Sequence, residues 1–249
     1  MEPSGGPVDI TKLDFGHYSA LVIGNDEYRR GLQPLKTAVS DAQAVAEALR
    51  SHYGFRVTLL TNATRAQIFE ALTQLRLSLT WNDNLLIYYA GHGIYDQAGG
   101  QGYWLPVDAQ PQDPTNWLSN ADITTMLRAI QARHVMVVAD SCYSGALTPI
   151  TNVAVKDANY LGRIVQRKAR TVMTSGGLEP VADAGGGGHS VFASAFIAAL
   201  QQNNGVMDAQ AFFAKVREPV VLAAPQTPEY SNLRFAGHDG GDFVFVKKQ

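Results

Sequence analysis

Apolar residues along this chain fall into two patterns that alternate. Short, mainly apolar runs at Tyr18–Gly24, Phe55–Leu60, Leu85–Ala90 and Val135–Ala139 predict strands buried on both faces. Between the first two runs, Ala38, Ala42, Val45, Ala46 and Leu49 recur at three- and four-residue steps, which predicts a helix over 35–52 that Gly54 ends. Ile68, Leu72, Leu75 and Leu79 repeat the pattern over 64–79, opened by Asn62 or Thr64, and a further helix is predicted over 121–131. Beyond residue 142 the pattern loosens. A short strand is predicted at Thr171–Thr174, helices over 189–201 and 209–222, and a last strand at Phe243–Val246. The stretch 146–169, with Lys156, Arg163, Arg167 and Lys168 and with Arg170 just beyond, reads as an exposed basic connector. Doubly buried strands alternating with amphipathic helices predict an α/β fold: one domain, with a parallel sheet covered by helices on both faces.

Composition narrows the function classes. The 249 residues are enough for one large domain with a full core, and 20 Lys+Arg against 22 Asp+Glu leave a net charge of −2. That balance argues against a nucleic-acid or membrane-surface binder. Cys142 is the one cysteine, which excludes an intrachain disulfide and a multi-cysteine metal cluster. With no leader-like segment and no apolar stretch long enough to span a bilayer, the expected location is the cytoplasm.

Candidate chemistry lies where the predicted strands end, because loops converge beyond the carboxyl ends of parallel strands. One strand runs into Gly91-His92-Gly93 and another into Asp140-Ser141-Cys142, with the imidazole and the thiol 50 residues apart in sequence. A thiol and an imidazole on one rim are what nucleophilic cysteine catalysis needs. Taken alone, Cys142 is more simply a small buried hydrophobe, Asp140 a backbone cap and Asp41 a solvated helical carboxylate. Structural roles are expected for His17, His52, His134, His189 and His238. Ser144 lacks the flanking glycines of a serine-hydrolase elbow, and Gly185–Gly188 lacks the Gly-Lys-Ser/Thr of a phosphate loop.

Tyr89-Ala90-Gly91-His92-Gly93 followed by Asp140-Ser141-Cys142-Tyr143-Ser144-Gly145 resembles the caspase-like cysteine peptidases of clan CD, type C14, on the metacaspase and bacterial orthocaspase branch. The likeness extends through Ala20–Asn25, Leu35–Asp41, Thr174–Gly177, His189–Ala193 and Gly237–Phe243, so it covers nearly the whole chain from about Tyr18. Tyr143 stands where metacaspases usually have histidine. The resemblance implies that Cys142 is the nucleophile, that His92 is the general acid/base, and that the N–H groups of Gly93 and Cys142 form the oxyanion hole. It further implies that Asp41 and Asp140 line the pocket for P1, the residue whose carbonyl is attacked, with Asp183 a further candidate for its border. Two acids in that pocket select P1 Arg or Lys and repel Asp.

The expected function is therefore a cysteine endopeptidase that cleaves proteins after Arg or Lys through a thioester acyl-enzyme. The resemblance implies a caspase-like α/β fold with a mostly parallel six-stranded sheet and helices on both faces, a tail over 1–17, a large-subunit-like part over 18–147, a connector over 148–169 open to self-cleavage, and a small-subunit-like part over 170–249. The chemistry requires no cofactor. Calcium activation is open, with Asp108, Asp113 and Asp122 as available oxygens. The other readings are a peptidase activated by a partner protein and a caspase-like binding module without turnover.

Overall fold

The computed structural model describes residues 12–141, 160–176 and 188–248. Cys142, Asp183 and most of the proposed connector lie outside those residues.

Six strands build the central sheet: β1 (His17–Gly24), β2 (Arg56–Thr61), β3 (Asp83–Ala90), β7 (His134–Asp140), β8 (Ala169–Thr174) and β10 (Glu229–Asn232), in the order β10-β8-β7-β3-β1-β2. All neighbours run parallel except β10, which is antiparallel to β8. Every residue of β3 and β7 is buried, as expected of central strands covered on both faces.

Alternation along β3 divides the core. Leu86 and Tyr88 join α1 (Ala38–Tyr53), α5 (Val191–Gln202) and α6 (Ala209–Ala223) through Leu49, Phe196 and Phe212. Leu85, Ile87 and Tyr89 join α2 (Arg65–Ser78) and α3 (Asn120–Ala129) through Ile68, Leu72 and Leu127. Two-residue periodicity in the strand thus meets helical periodicity on each face.

Local signals set the helix ends. Thr64 and Gln67 close a capping box on α2, Ser119, Ser190 and Asp208 cap α3, α5 and α6, and Gly54 ends α1 in the left-handed region at φ 68°. The positive φ is what calls for glycine there, since the Lys248 side chain that lies against it can swing aside.

The structure corrects three expectations. Phe243–Val246 does not complete the central sheet; β11 (Val244–Val246) pairs with β9 (Val206–Asp208) in a separate ribbon, and the sixth strand is the polar β10. A small sheet of β4 (Gly93–Asp96), β5 (Gln101–Trp104) and β6 (Leu118–Ser119) was not expected, because strands this short carry no apolar run. Finally, 160–169 is not exposed connector. α4 (Tyr160–Gln166) buries Ile164 and Val165 against Val244, and the Arg170 guanidinium is fully enclosed, donating to the carbonyls of Arg133, Ala169 and Ile130. The interleaved basic residues obscure that apolar pair in the sequence.

Candidate active site

Strand register brings the candidate residues to one rim. Gly24 of β1 lies beside Ala90 of β3, which lies beside Asp140 of β7. His92 is two residues beyond Ala90, and Asp140 is two residues before Cys142, so both halves of the motif start from the same level of the sheet.

His92 is half-buried and fixed on several sides. Its Nε2 lies 2.7 Å from the carbonyl oxygen of Gln33. A carbonyl only accepts, so Nε2 carries the hydrogen and Nδ1 is left with a lone pair for proton transfer. The His92 backbone N–H donates to the Tyr28 hydroxyl at 2.9 Å, and its carbonyl accepts from Leu105 N–H at 2.9 Å and Tyr89 O–H at 2.8 Å. A Cβ at Gly91 would stand 2.8 Å from both tyrosyl oxygens, so this close approach requires a glycine before the histidine. Gly93 follows as the first residue of β4, paired across from Trp104.

Asp41, in the first turn of α1, and Asp140, at the end of β7, are 1% and 5% exposed. Ser190 ties them together: its N–H donates to Asp41 Oδ2 at 3.3 Å and its hydroxyl donates to Asp140 Oδ2 at 2.6 Å. The same hydroxyl oxygen accepts from Ala193 N–H as the N-cap of α5. His189 Nδ1 lies 2.6 Å from Asp41 Oδ1, so both oxygens of Asp41 are engaged. Asp140 Oδ1 makes no hydrogen bond of ordinary geometry among the described residues; the buried Tyr88 and Ser175 hydroxyls are the groups near enough to act on this carboxyl.

Burial pushes the Asp140 carboxyl up to about 7; the neighbouring Asp41 charge adds to the rise and the Ser190 hydrogen bond opposes it. Asp41 is also raised, first by burial, while its bond to His189 pulls it back. The free site is therefore short of positive charge. A cation beside Asp140 Oδ1 would relieve that by favouring the ionised form.

Sequence reasoning assigned His189 a structural role, but the structure brings it into this cluster. It also missed Ser190, Tyr28 and the Gln33 carbonyl. The only signal for Ser190 was its place as a helix cap, since its partners lie 149 and 50 residues away. The three other aspartates are not gathered: Asp108 accepts from Arg65 N–H, Asp113 from Thr115, and Asp122 lies in the first turn of α3. No group of three or more His, Cys, Asp or Glu side chains suited to a metal ion occurs among the described residues.

Comparison with known proteins adds to this geometry. The sequence model of the caspase domain, peptidase C14, matches residues 18–236. A protein of Geobacter sulfurreducens known from its crystal structure superposes with a TM-score of 0.61 at 20% identity, over 91% of this chain and 99% of that one. That likeness is one of fold. No curated protein matches, and among the described residues no helix is long and apolar enough to cross a membrane.

The state of Asp140 has a measurable consequence for stability. Its carboxyl titrates near 7 in the fold against 3.8 ordinarily, so between those values the unfolded chain releases a proton that the fold retains, and stability falls as pH rises. Asp140→Asn is therefore expected to raise the melting temperature at pH 8 and leave it nearly unchanged at pH 4. A lower melting temperature at pH 8 would contradict the assignment.

Proposed function

Because the chain belongs to the caspase-domain family of peptidases, whose sequence model spans residues 18–236, we propose that it is a cysteine endopeptidase that cleaves proteins after Arg or Lys. The observation that carries the specificity is Asp140: a buried carboxyl met only by neutral hydroxyls, beside a second buried carboxyl, on the same rim as His92. An acidic P1 side chain would bring further negative charge to this pair, whereas Arg or Lys supplies a cation that favours its ionised form.

In the proposed reaction Cys142 Sγ, as thiolate, attacks the carbonyl carbon after the basic residue. The N–H groups of Gly93 and Cys142 receive the developing oxyanion, a contribution on the order of 3 kcal/mol per donor. His92, protonated at Nδ1, gives that proton to the departing amine as the C–N bond breaks and the thioester forms. The now neutral Nδ1 then takes a proton from water, whose oxygen attacks the thioester and frees Sγ and the new carboxyl terminus. Throughout, the Gln33 carbonyl keeps Nε2 protonated and the ring oriented.

Peptides that differ only at P1 test this reading. Arg or Lys peptides should be hydrolysed and the Asp peptide not, with turnover lost in Cys142→Ala and basic-P1 turnover lost in Asp140→Asn. Below about pH 7, KM for the basic peptides should climb by up to about tenfold per pH unit as Asp140 takes up its proton. Parallel assays with added calcium decide the cofactor. Preferential cleavage of the Asp peptide would overturn the specificity, and absence of all turnover would favour a partner-activated or non-turnover role.

The fold also narrows where self-cleavage is possible. Arg163 lies in α4, Arg170 is fully buried, and the carbonyls of Arg167 and Lys168 are held by His134 Nε2 and by the N–H groups of Asp239 and Gly241, whereas a scissile bond needs extended, accessible chain. Lys156 is the one basic residue in 148–159. Self-processing therefore predicts a new amino terminus at Asp157, read by mass spectrometry of wild type but not of Cys142→Ala. Cleavage at Arg163, Arg167 or Lys168 would contradict this placement.

A further inference from the structure

One loop meets His92 from three directions. The segment between β1 and α1 supplies the Gln33 carbonyl to Nε2, the Tyr28 hydroxyl to the backbone N–H, and the Tyr28 ring, whose centroid is 4.6 Å from that of the imidazole at a 53° tilt. Tyr28 is 3% exposed, and its body packs with Leu105 and Ala109.

The hydrogen-bond roles at this hydroxyl are fixed. Its single hydrogen goes to the Leu105 carbonyl at 2.9 Å, so it faces the His92 N–H with a lone pair. Burial, the largest influence, holds the phenol well above its ordinary range, so the group remains an O–H donor at any working pH. The hydroxyl therefore clamps the two chain segments on either side of the β4–β5 hairpin, at His92 and at Leu105.

The loop is in turn anchored away from the histidine. Asn62, in the left-handed region at φ 53°, accepts through Oδ1 from the N–H groups of Asp26 and Glu27 at 2.9 and 3.0 Å. The Asp26 carbonyl accepts from Tyr28 N–H and Leu35 N–H, and its carboxylate from Val39 N–H at the start of α1. Asn25 Oδ1 accepts from Ala63 N–H at 2.8 Å. Tyr28 is thus held from below and can hold His92 from its side.

We infer that Tyr28 is a positioning residue for His92: it fixes the imidazole so that Nε2–H meets the Gln33 carbonyl and Nδ1 is free to carry the proton. The inference rests on the proposed reading of His92 as acid/base and adds the residue that orients it. Small misplacements of a proton carrier are costly in rate, because the transferred hydrogen must lie along a short donor–acceptor line.

The test compares wild type, Tyr28→Phe, which keeps the ring and removes the clamp, and Tyr28→Leu, which removes both. With the active fraction titrated by a thiol-reactive peptide, kcat per active site should fall about tenfold in Tyr28→Phe and further in Tyr28→Leu, with KM within about twofold. A merely structural role would lower the melting temperature and the active fraction and leave kcat per titrated site unchanged. Nitrogen-15 NMR of the histidines, with His92→Gln for assignment, gives a readout independent of turnover. Wild type should show His92 as a single Nε2–H tautomer and Tyr28→Phe a mixture. An unmixed tautomer together with wild-type kcat per site in Tyr28→Phe would overturn the inference. Should wild type cleave no peptide at all, the reading of a peptidase active by itself fails, and the tautomer ratio still decides the positioning role.

Discussion

Two carboxyl groups buried side by side cannot both ionise at low cost without a cation between them. Asp41 and Asp140 are such a pair, drawn from the first turn of one helix and the end of a central strand, and joined by the hydroxyl and N–H of Ser190. The fold holds them only because other elements prevent relaxation. β3 and β7 are wholly buried, α1 and α5 pack on the same face of the sheet, and Ser190 is committed to capping α5. His189 bonds to Asp41, whereas Asp140 is met only by neutral hydroxyls, Ser190 foremost. On this account the Asp140 carboxyl is the specificity device, and its cost in stability is offset by the core beneath it.

The same sheet carries the histidine. Parallel register places Ala90 and Asp140 level, and the chain beyond Ala90 turns through a glycine that two tyrosyl hydroxyls approach too closely for any side chain. The acid pair and the imidazole are therefore set by independent contacts. Ser190 and His189 hold the first, and Gln33, Tyr28 and Tyr89 hold the second. On the proposed reading, substitutions in one group should leave the other in place and so separate binding of the P1 side chain from proton transfer.

Much of this was legible in the sequence. Apolar runs ending in Gly24, Ala90 and Asp140 marked the central strands and the rim on which chemistry would lie, and the motifs around His92 and Cys142 pointed to the family that the caspase-domain match shows. Contacts between distant segments were not legible. β10 reads Glu-Tyr-Ser-Asn and pairs with β8 without any apolar signature. The buried pair in α4 is masked by basic neighbours, and Phe243–Val246, apolar enough for the central sheet, pairs elsewhere. His189 looked structural because its partner, Asp41, is 148 residues away. Tyr28 carried no expectation, since nothing local shows that its hydroxyl reaches His92, 64 residues along the chain.

The most direct test of the account is competitive labelling followed by intact-mass and peptide-level spectrometry. The protein is exposed to an equimolar mixture of thiol-reactive acyloxymethyl ketone peptides bearing P1 Lys and P1 Asp. The account predicts a single adduct of the Lys reagent on Cys142, lost in Asp140→Asn. Labelling by the Asp reagent, or labelling by the Lys reagent that persists in Asp140→Asn, would contradict it.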